Sequence, residues 1–489
     1  MLPFKNLLLI DKNSSTAVFR QIASQLVLLI QKGILLPEME LPSTRSLAAD
    51  LGLHRKTVMA AYNDLIAEDW VESEQRKGYR ISALLPIIKP RSYTNNNSLT
   101  GYQGSADFLF DRLDHIPSLP VISPGFKLIV NDGFPETAIF PIEKVLKEYR
   151  KLLGHNVLKK SAASWDVGGS ASFKEALHSF LNETRGLNIR PENLMITRGA
   201  QMAIYIAAAL ILKPGDQVLV SDPGYAIADA AFRQLGAELI RVPVDNDGMD
   251  IAAVETVLKT KKIKLLYIIP HHHHPTTVTL SSARRTKLLE LIRTYQLAVI
   301  EDDYDYDFQY QYSPYLPLAS GEHDGNVIYI GSLTKVLGAP FRLGYMISTA
   351  DFLYSAVKLK SLIDLRTDVL MEGAIGAMIS SGEFSRHIKK ANKLYGARCD
   401  YGVGLISSEL SNCIDLTKPQ GGMALWLRFK EDFPVAKIIS KASEMGLRLT
   451  GSAWHKGNSL KHNGLRFGFA SLSETDIEFA VAVLKKITA

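Results

Sequence analysis

Apolar side chains recur at helical spacing in three stretches near the N-terminus. Residues 19–31 (FRQIASQLVLLIQ) form an amphipathic pattern that stops at Lys32-Gly33, a helix-ending pair. Leu41-Pro42-Ser43 opens a second helix over 44–50, with the Ser43 hydroxyl placed to cap its first free amides. Gly52 turns the chain into a third helix over 55–68, where Val58, Ala61, Tyr62 and Leu65 share one face. The period then changes: WVESEQ and YRIS read as two strands joined by a tight RKG turn. Three helices and a hairpin predict a winged helix-turn-helix over residues 1–83.

Residues 84–125 lose this period. Pro86, Pro90, Asn95-Asn96-Asn97-Ser98, Gly101 and Gly104 predict a linker, in which DFLFDRLDHI is expected to form a short helix or to dock on the larger domain. Over 126–489, helical and strand-like runs alternate, the pattern of an α/β layer architecture. Helices are expected over 143–153, over 171–183 and from Arg198-Gly199-Ala200-Gln201 onward; strands are expected at 193–197, 217–221 and 264–269. Two further runs, LAVI (297–300) and VIYI (327–330), are apolar without alternation, as in strands buried on both faces. Residues 421–427 and 464–470 read as strands of a smaller subdomain.

Open parallel sheets bind ligands beyond the carboxyl ends of their strands. The first apolar run leads into EDDYDYDF, which places Asp302 and Tyr304 there; the second leads into Ser332, Lys335 and Arg342. A lysine at a buried sheet edge loses hydration, its pKa falls, and the neutral amine can condense with a carbonyl. The set suits pyridoxal phosphate: Lys335 carries its aldehyde as an internal aldimine, and Asp302 keeps the pyridine nitrogen protonated so that the ring draws electrons. Tyr304 reaches the ring hydroxyl, while Ser332 and Arg342 hold the phosphate, Arg342 through its bidentate fork. The backbone amides of Gly199, Ala200 and Gln201, at a helix start, make a further phosphate seat. Tyr225 either stacks on the ring or fills the core behind a turn. Arg466 interrupts an apolar strand and answers either an anionic partner, such as a substrate carboxylate, or a structural salt bridge. His271, His272, His273 and His274 invite a metal, but neighbours in sequence do not converge on one ion and no His-x3-His spacing is present, so no metal site is read.

Composition narrows the setting. A chain of 489 residues exceeds one core and suggests about three domains. No apolar run reaches the ~18 residues of a membrane helix. The start, MLPFKNLLLIDKNSS, lacks a basic leader and a small-residue cleavage site, so no signal peptide is expected. Two cysteines, Cys399 and Cys413, suit a reducing cytoplasm. The net charge of +6 leans towards an anionic partner. Residues 1–83 hold ten Lys/Arg against nine Asp/Glu, so recognition of double-stranded DNA rests on where the charge lies. His54-Arg55-Lys56-Thr57 begin the third helix, where a recognition helix meets base edges. Arg45, Thr57 and the turn residues Arg76 and Lys77 are placed for phosphates.

LPSTRSLAADLGLHRKTVMAAYNDLIAEDWVES resembles the GntR family of bacterial regulators, and Ser332-x-x-Lys335 followed by Arg342 resembles the fold-type I aminotransferases. Joined in this order, the two resemble the MocR/GabR subfamily of transcription regulators over all but the linker. The resemblance implies a winged helix plus a PLP-dependent transferase domain with large and small subdomains. It implies Lys335 as the aldimine lysine, Asp302 at the pyridine nitrogen, Tyr304 at the ring hydroxyl and Tyr225 stacked on the ring. It further implies Gly199, Ala200, Gln201, Ser332 and Arg342 around the phosphate, Arg466 for an effector carboxylate, and a head-to-tail homodimer. The chain departs from the family at Arg198, where serine is usual, at Thr277, where glycine is usual, and in HHHHPTT, which replaces Ser-His-Gln-Phe-Pro-Thr-Gly. Arg76-Lys77 stands where Gly-Ser is common in the wing. Ile227 stands where the GABA-responsive member has arginine, so γ-aminobutyrate is not the expected effector. The expected function is a cytoplasmic regulator that senses PLP or an amino compound at Lys335. The rivals are an aminotransferase with a DNA-binding appendage and an apo scaffold whose winged helix acts alone.

Overall fold

The computed structural model describes residues 3–74, 78–87, 106, 108–114, 116, 125–154, 166–310, 315–450 and 462–489. The chain divides into two compact units, Met1–Asp111 and Arg112–Ala489.

In the first unit, helices Phe4–Leu7, Val18–Gln31, Thr44–Leu51 and Arg55–Ala67 share one core with a small sheet. Strands β1 (Glu40–Leu41), β2 (Val71–Glu74) and β3 (Gly78–Ile81) run antiparallel in the order β1-β3-β2. The expected hairpin thus gains a third strand, too short to leave a period in the sequence. Ile22, Leu26, Leu47, Val58, Ala61, Tyr62 and Ile81 are buried in one core. The Ser43 hydroxyl accepts from Ser46 N at 3.2 Å, the expected cap. The Tyr62 hydroxyl donates to Pro42 O at 2.9 Å and pins helix Arg55–Ala67 to the start of helix Thr44–Leu51. The helix expected in DFLFDRLDHI is absent among its described residues 108–114, where Phe108, Leu109 and Phe110 are exposed. A segment this short holds no helix without burying an apolar face.

The second unit begins with β4 (Leu128–Val130), helix Ile142–Leu152 and helix Ala171–Arg185. Eight strands follow: β5 (Leu194–Thr197), β6 (Gln217–Asp222), β7 (Glu238–Asp245), β8 (Gly248–Met249), β9 (Ile263–Ile268), β10 (Ala298–Asp303), β11 (Val327–Ser332) and β12 (Gly344–Ile347). They form one sheet in the order β5-β12-β11-β10-β9-β6-β7-β8. The sheet is parallel through β11-β10-β9-β6-β7, with β12 antiparallel to both of its neighbours. On β10, Ile300 packs in one core with Ile204 of helix Ala200–Ile211, while Val299 packs in another with Leu288 of helix Ser282–Tyr295. Burial on both faces is why neither central run alternates.

The apolar runs end before the strands do. The ladder continues through Asp302↔Ile330 and Asp303↔Gly331, and Ser332 pairs with Gly344, so Asp302 and Ser332 are strand residues rather than lying past the strand ends. A smaller antiparallel sheet, β13 (Ile414–Asp415), β14 (Ala424–Phe429) and β16 (Gly464–Gly468), packs with helices Glu383–Glu409 and Glu474–Thr488. Strand β15 (Leu447–Leu449) pairs in parallel with β4. Among the described residues, no helix is long and apolar enough to cross a membrane.

Candidate functional site

Strand β12 draws two strand ends together. Gly344 pairs with Ser332 on one side and Thr197 on the other. A Cβ at Gly344 would lie 2.5 Å from Gly199 C and 2.8 Å from Ala200 N, so only glycine lets this edge meet the start of helix Ala200–Ile211. Gly199, at φ +85°, caps that helix without a side chain, which leaves its first amides open to an anion. The Arg342 guanidinium lies over this turn, with Nη2 donating to Arg198 O at 3.2 Å. Ser332 Oγ faces the same edge and accepts from Thr334 N at 3.2 Å. Open amides, a guanidinium and a hydroxyl are together the donor types that suit a phosphate dianion. The side chain of Arg198 is engaged elsewhere: Nε donates to Asp364 Oδ2 at 2.8 Å.

One strand away, Asp302 is buried at 3% exposure. Tyr267 donates its hydroxyl to Asp302 Oδ2 at 2.6 Å, and Oδ1 has no hydrogen-bond partner. Burial pushes the carboxyl up to about 7 against the pull of Tyr267. A buried carboxylate oxygen left unpaired is costly, and a protonated heterocyclic nitrogen is a donor that would satisfy it.

Lys335 sits in the single turn Thr334–Leu337 after β11. Its Nζ donates to Gly133 O at 2.8 Å and lies 4.4 Å from the Phe134 ring centroid and 5.8 Å from that of Tyr304. Burial lowers its pKa to about 8, opposed by Asp132. The Tyr304 hydroxyl donates to His272 O at 2.9 Å and accepts from Arg466 Nη2 at 3.0 Å. Tyr225, half-buried at the start of helix Ala226–Gln234, stands edge-on to His274 at 5.2 Å. Burial raises its hydroxyl, and nearby Asp302 and Asp132 raise it further.

The histidine run is a row of buried side chains, each with a partner. His271 pairs with Asp303 at 3.2 Å, His272 with Asp305 at 2.9 Å, His273 with Ser221 at 2.9 Å and His274 with Asp132 at 2.8 Å. Asp307, the next alternate acid, takes Arg185 at 2.9 Å. Among the described residues, no group of three or more His, Cys, Asp or Glu side chains is arranged to hold a metal ion. Sequence reasoning missed Tyr267, Asp132 and His274 as members of the pocket. Each joins the pocket through a partner distant in sequence, Tyr267 through Asp302 and His274 through Asp132, so no local pattern marked them.

Arg466, on β16, is clasped: Nε donates to Asp132 O at 3.1 Å, Nη1 to Pro275 O at 3.1 Å and Nη2 to Tyr304. Its Nε also lies 3.3 Å from Asp132 Oδ1.

In the first unit, His54 Nδ1 accepts from Lys56 N at 3.2 Å at the start of helix Arg55–Ala67, and Arg55 and Lys56 are exposed there while Thr57 is half-buried. Arg55 Nε donates to Thr44 Oγ1 at 3.3 Å, which joins this helix start to that of Thr44–Leu51, where Arg45 is exposed. The cations thus gather at two adjoining helix N-termini. Arg76 and Lys77, expected at the wing tip, lie outside the described residues.

Comparison with known proteins places both units. The family "Aminotransferase class I and II" matches residues 123–484, and "Bacterial regulatory proteins, gntR family" matches 19–81. The chain is 25% identical over 471 residues to the "Probable rhizopine catabolism regulatory protein MocR" of Rhizobium meliloti, covering 95% of this chain and 92% of that one. It is 24% identical to the pyridoxine biosynthesis regulator PdxR of Corynebacterium glutamicum, across 97% and 96% of the two. Among solved structures, the α-aminoadipate aminotransferase LysN of Thermus thermophilus, in complex with N-(5'-phosphopyridoxyl)-L-leucine, is 26% identical. It superposes at a TM-score of 0.67 over 74% of this chain and 91% of its own.

Proposed function

This chain belongs to the class I and II aminotransferases by its larger unit and to the gntR regulators by its smaller one, a MocR-type transcription regulator, and from that premise we propose that it senses pyridoxal phosphate, or an amino compound joined to it, at Lys335. Bound there, the cofactor supplies an aldehyde reactive towards primary amines and an electron-withdrawing ring. The amides of Gly199, Ala200 and Gln201, with Ser332 and Arg342, hold its phosphate. Asp302 keeps a proton at the pyridine nitrogen, Tyr304 orients the ring hydroxyl, and Tyr225 covers a ring face. Lys335, with its pKa lowered to about 8, keeps a neutral fraction able to attack the aldehyde. Arg466 anchors an effector carboxylate once its present partners give way. In the cytoplasm a head-to-tail homodimer presents Arg55 and Lys56 to base edges of operator DNA, and Arg45, Thr57, Arg76 and Lys77 to phosphates. Effector binding biases the dimer between two arrangements through its differential affinity for them.

The observation that carries this reading is the unpaired Asp302 Oδ1 at the sheet edge that also presents Lys335. The test is the visible absorption of the purified protein with added pyridoxal phosphate, beside Lys335→Ala. A band in the wild type that the variant lacks, and that amino compounds shift together with operator binding, is expected. Absence of any band leaves a DNA-binding protein with no cofactor signal. The lowered Lys335 also suits an enzyme, since a neutral amine there is a competent base. Sustained keto-acid-dependent turnover at roughly 1 per second or faster would establish that alternative.

A further inference from the structure

The pocket holds one charge that the cofactor does not need. Asp132 stands on the turn after β4, and Asn131 fixes that turn by donating to Ser471 Oγ at 2.7 Å and accepting from the amides of Gly133 and Phe134 at 2.9 and 2.8 Å. Its carboxylate lies between His274 Nε2, at 2.8 Å from Oδ2, and Arg466 Nε, at 3.3 Å from Oδ1. The carbonyl of the next residue, Gly133, receives Lys335.

The two opposite charges are not equally accessible. The side chain of Arg466 is 1% exposed and that of Asp132 is 21% exposed, and Asp132 Oδ1 is itself buried with no hydrogen-bond partner, so the anion is the charge left with room for a further donor. Arg466 is already held by Asp132 O, Pro275 O and the Tyr304 hydroxyl. A ligand carboxylate that joins Arg466 must draw it off Asp132, leaving two buried carboxylates side by side with one guanidinium. Such an arrangement is costly unless a second cation arrives. His274 is poorly suited to supply it, because burial pushes its imidazole towards the neutral form and Arg466 and Lys335 add to that push, although Asp132 opposes them.

We infer that Asp132 is a specificity-determining residue that selects effectors carrying a second positively charged group, such as diamino acids. One amine forms its C=N bond with the cofactor aldehyde carbon and displaces the Lys335 amine, which is released beside Gly133 O; the carboxylate joins Arg466, and the distal ammonium replaces Arg466 as the partner of Asp132. The inference rests on the cofactor reading of Lys335 given above.

The test compares wild type, Asp132→Asn and Asp132→Glu, each loaded with pyridoxal phosphate. Lysine is titrated against norleucine, ornithine against norvaline, and glutamate alone, while the visible absorption is followed. Wild type is expected to respond to the basic member of each pair at roughly tenfold lower concentration, the scale of one charge-assisted contact. Asp132→Asn should bring each pair within about twofold, and Asp132→Glu should restore the preference. A loaded wild type that prefers norleucine or glutamate, or an Asp132→Asn protein that keeps the full preference, overturns the inference alone. A wild type that shows no cofactor absorption overturns the cofactor reading and this inference with it.

Discussion

Tyr267 donates its hydroxyl to Asp302 Oδ2 at 2.6 Å, and that bond fixes which carboxylate oxygen is left for a ligand. It also opposes the effect of burial on the Asp302 carboxyl. Tyr267→Phe removes both effects, leaving Asp302 more readily protonated and less firmly aimed. Its affinity for pyridoxal phosphate should fall by about tenfold, the scale of a hydrogen bond to a charged group. Titration followed by absorption measures this, and an unchanged affinity would mean that Asp302 does not contact the ring.

Asp302 also predicts how the cofactor-free protein responds to pH. Its folded-state pKa, about 7, is raised above the unfolded value, so the folded form favours the protonated carboxyl. The associated stability is fully present below about pH 4 and is lost as pH rises through about 7. Asp302→Asn has no such titration, so its melting temperature should fall less than that of the wild type over this interval. Glu301, raised to about 8 by burial and by Asp303, extends the remaining loss to higher pH in both proteins. Equal slopes for the two proteins across pH 4 to 7 would refute the assignment.

The sequence made the strands legible because β10 and β11 are buried on both faces, and an apolar run without alternation has few other readings. Lys335, Asp302 and Ser332 followed, since strand ends are where polar residues interrupt such runs. What stayed hidden depends on contacts between distant segments. Tyr267 reads as one more apolar strand residue until β9 is set beside β10. Asp132 reads as a loop acid until β16 brings Arg466 to it, 334 residues away. The histidine run could be denied a metal from spacing alone, but its acid partners come from another strand, and no local pattern announces that pairing.

Gly344 lets the sheet edge approach the helix start at which the phosphate seat is proposed. A methyl group there would meet Gly199 Cα at 2.7 Å and Ala200 N at 2.8 Å, both of them backbone atoms that cannot rotate away. Gly344→Ala should therefore push helix Ala200–Ile211 off the sheet edge and cost on the order of 1–3 kcal/mol, as overpacking does. Affinity for pyridoxal phosphate should fall more than affinity for pyridoxal, which lacks the phosphate. Equal losses for the two would place the damage outside the seat.

Arg55 and Arg45 lie at adjoining helix starts, and the proposal gives them different tasks, base edges for Arg55 and phosphates for Arg45. Arg55→Ala should cost about 1–3 kcal/mol on the specific operator and relax its sequence preference. Arg45→Ala should weaken binding to all sequences alike and lower the salt dependence by about one counterion. Fluorescence anisotropy on specific and scrambled duplexes at several salt concentrations separates the two. Identical effects from both substitutions would contradict the division between base and phosphate contacts.

Thr277 tests how the histidine loop is held. It is buried at φ +62°, a left-handed conformation in which a β-branched side chain is strained. Its amide donates to His273 O at 2.6 Å, so the turn is fixed by its own backbone and the strain persists. Relief of that strain is worth about 1–2 kcal/mol. Glycine gives back about 0.5–1 kcal/mol through the freer unfolded chain. Thr277→Gly should therefore leave the second unit more stable than Thr277→Ala by roughly 0.5–1 kcal/mol, measured as a shift in its urea midpoint, since both variants lose the same buried methyl and hydroxyl. Thr277→Ala is the decisive control, because it keeps the Cβ that clashes with a left-handed backbone while losing the buried methyl and hydroxyl. The alanine protein should be no more stable than the wild type. If alanine stabilises as much as glycine, the gain comes from trimming a crowded side chain, and the backbone at Thr277 is not strained.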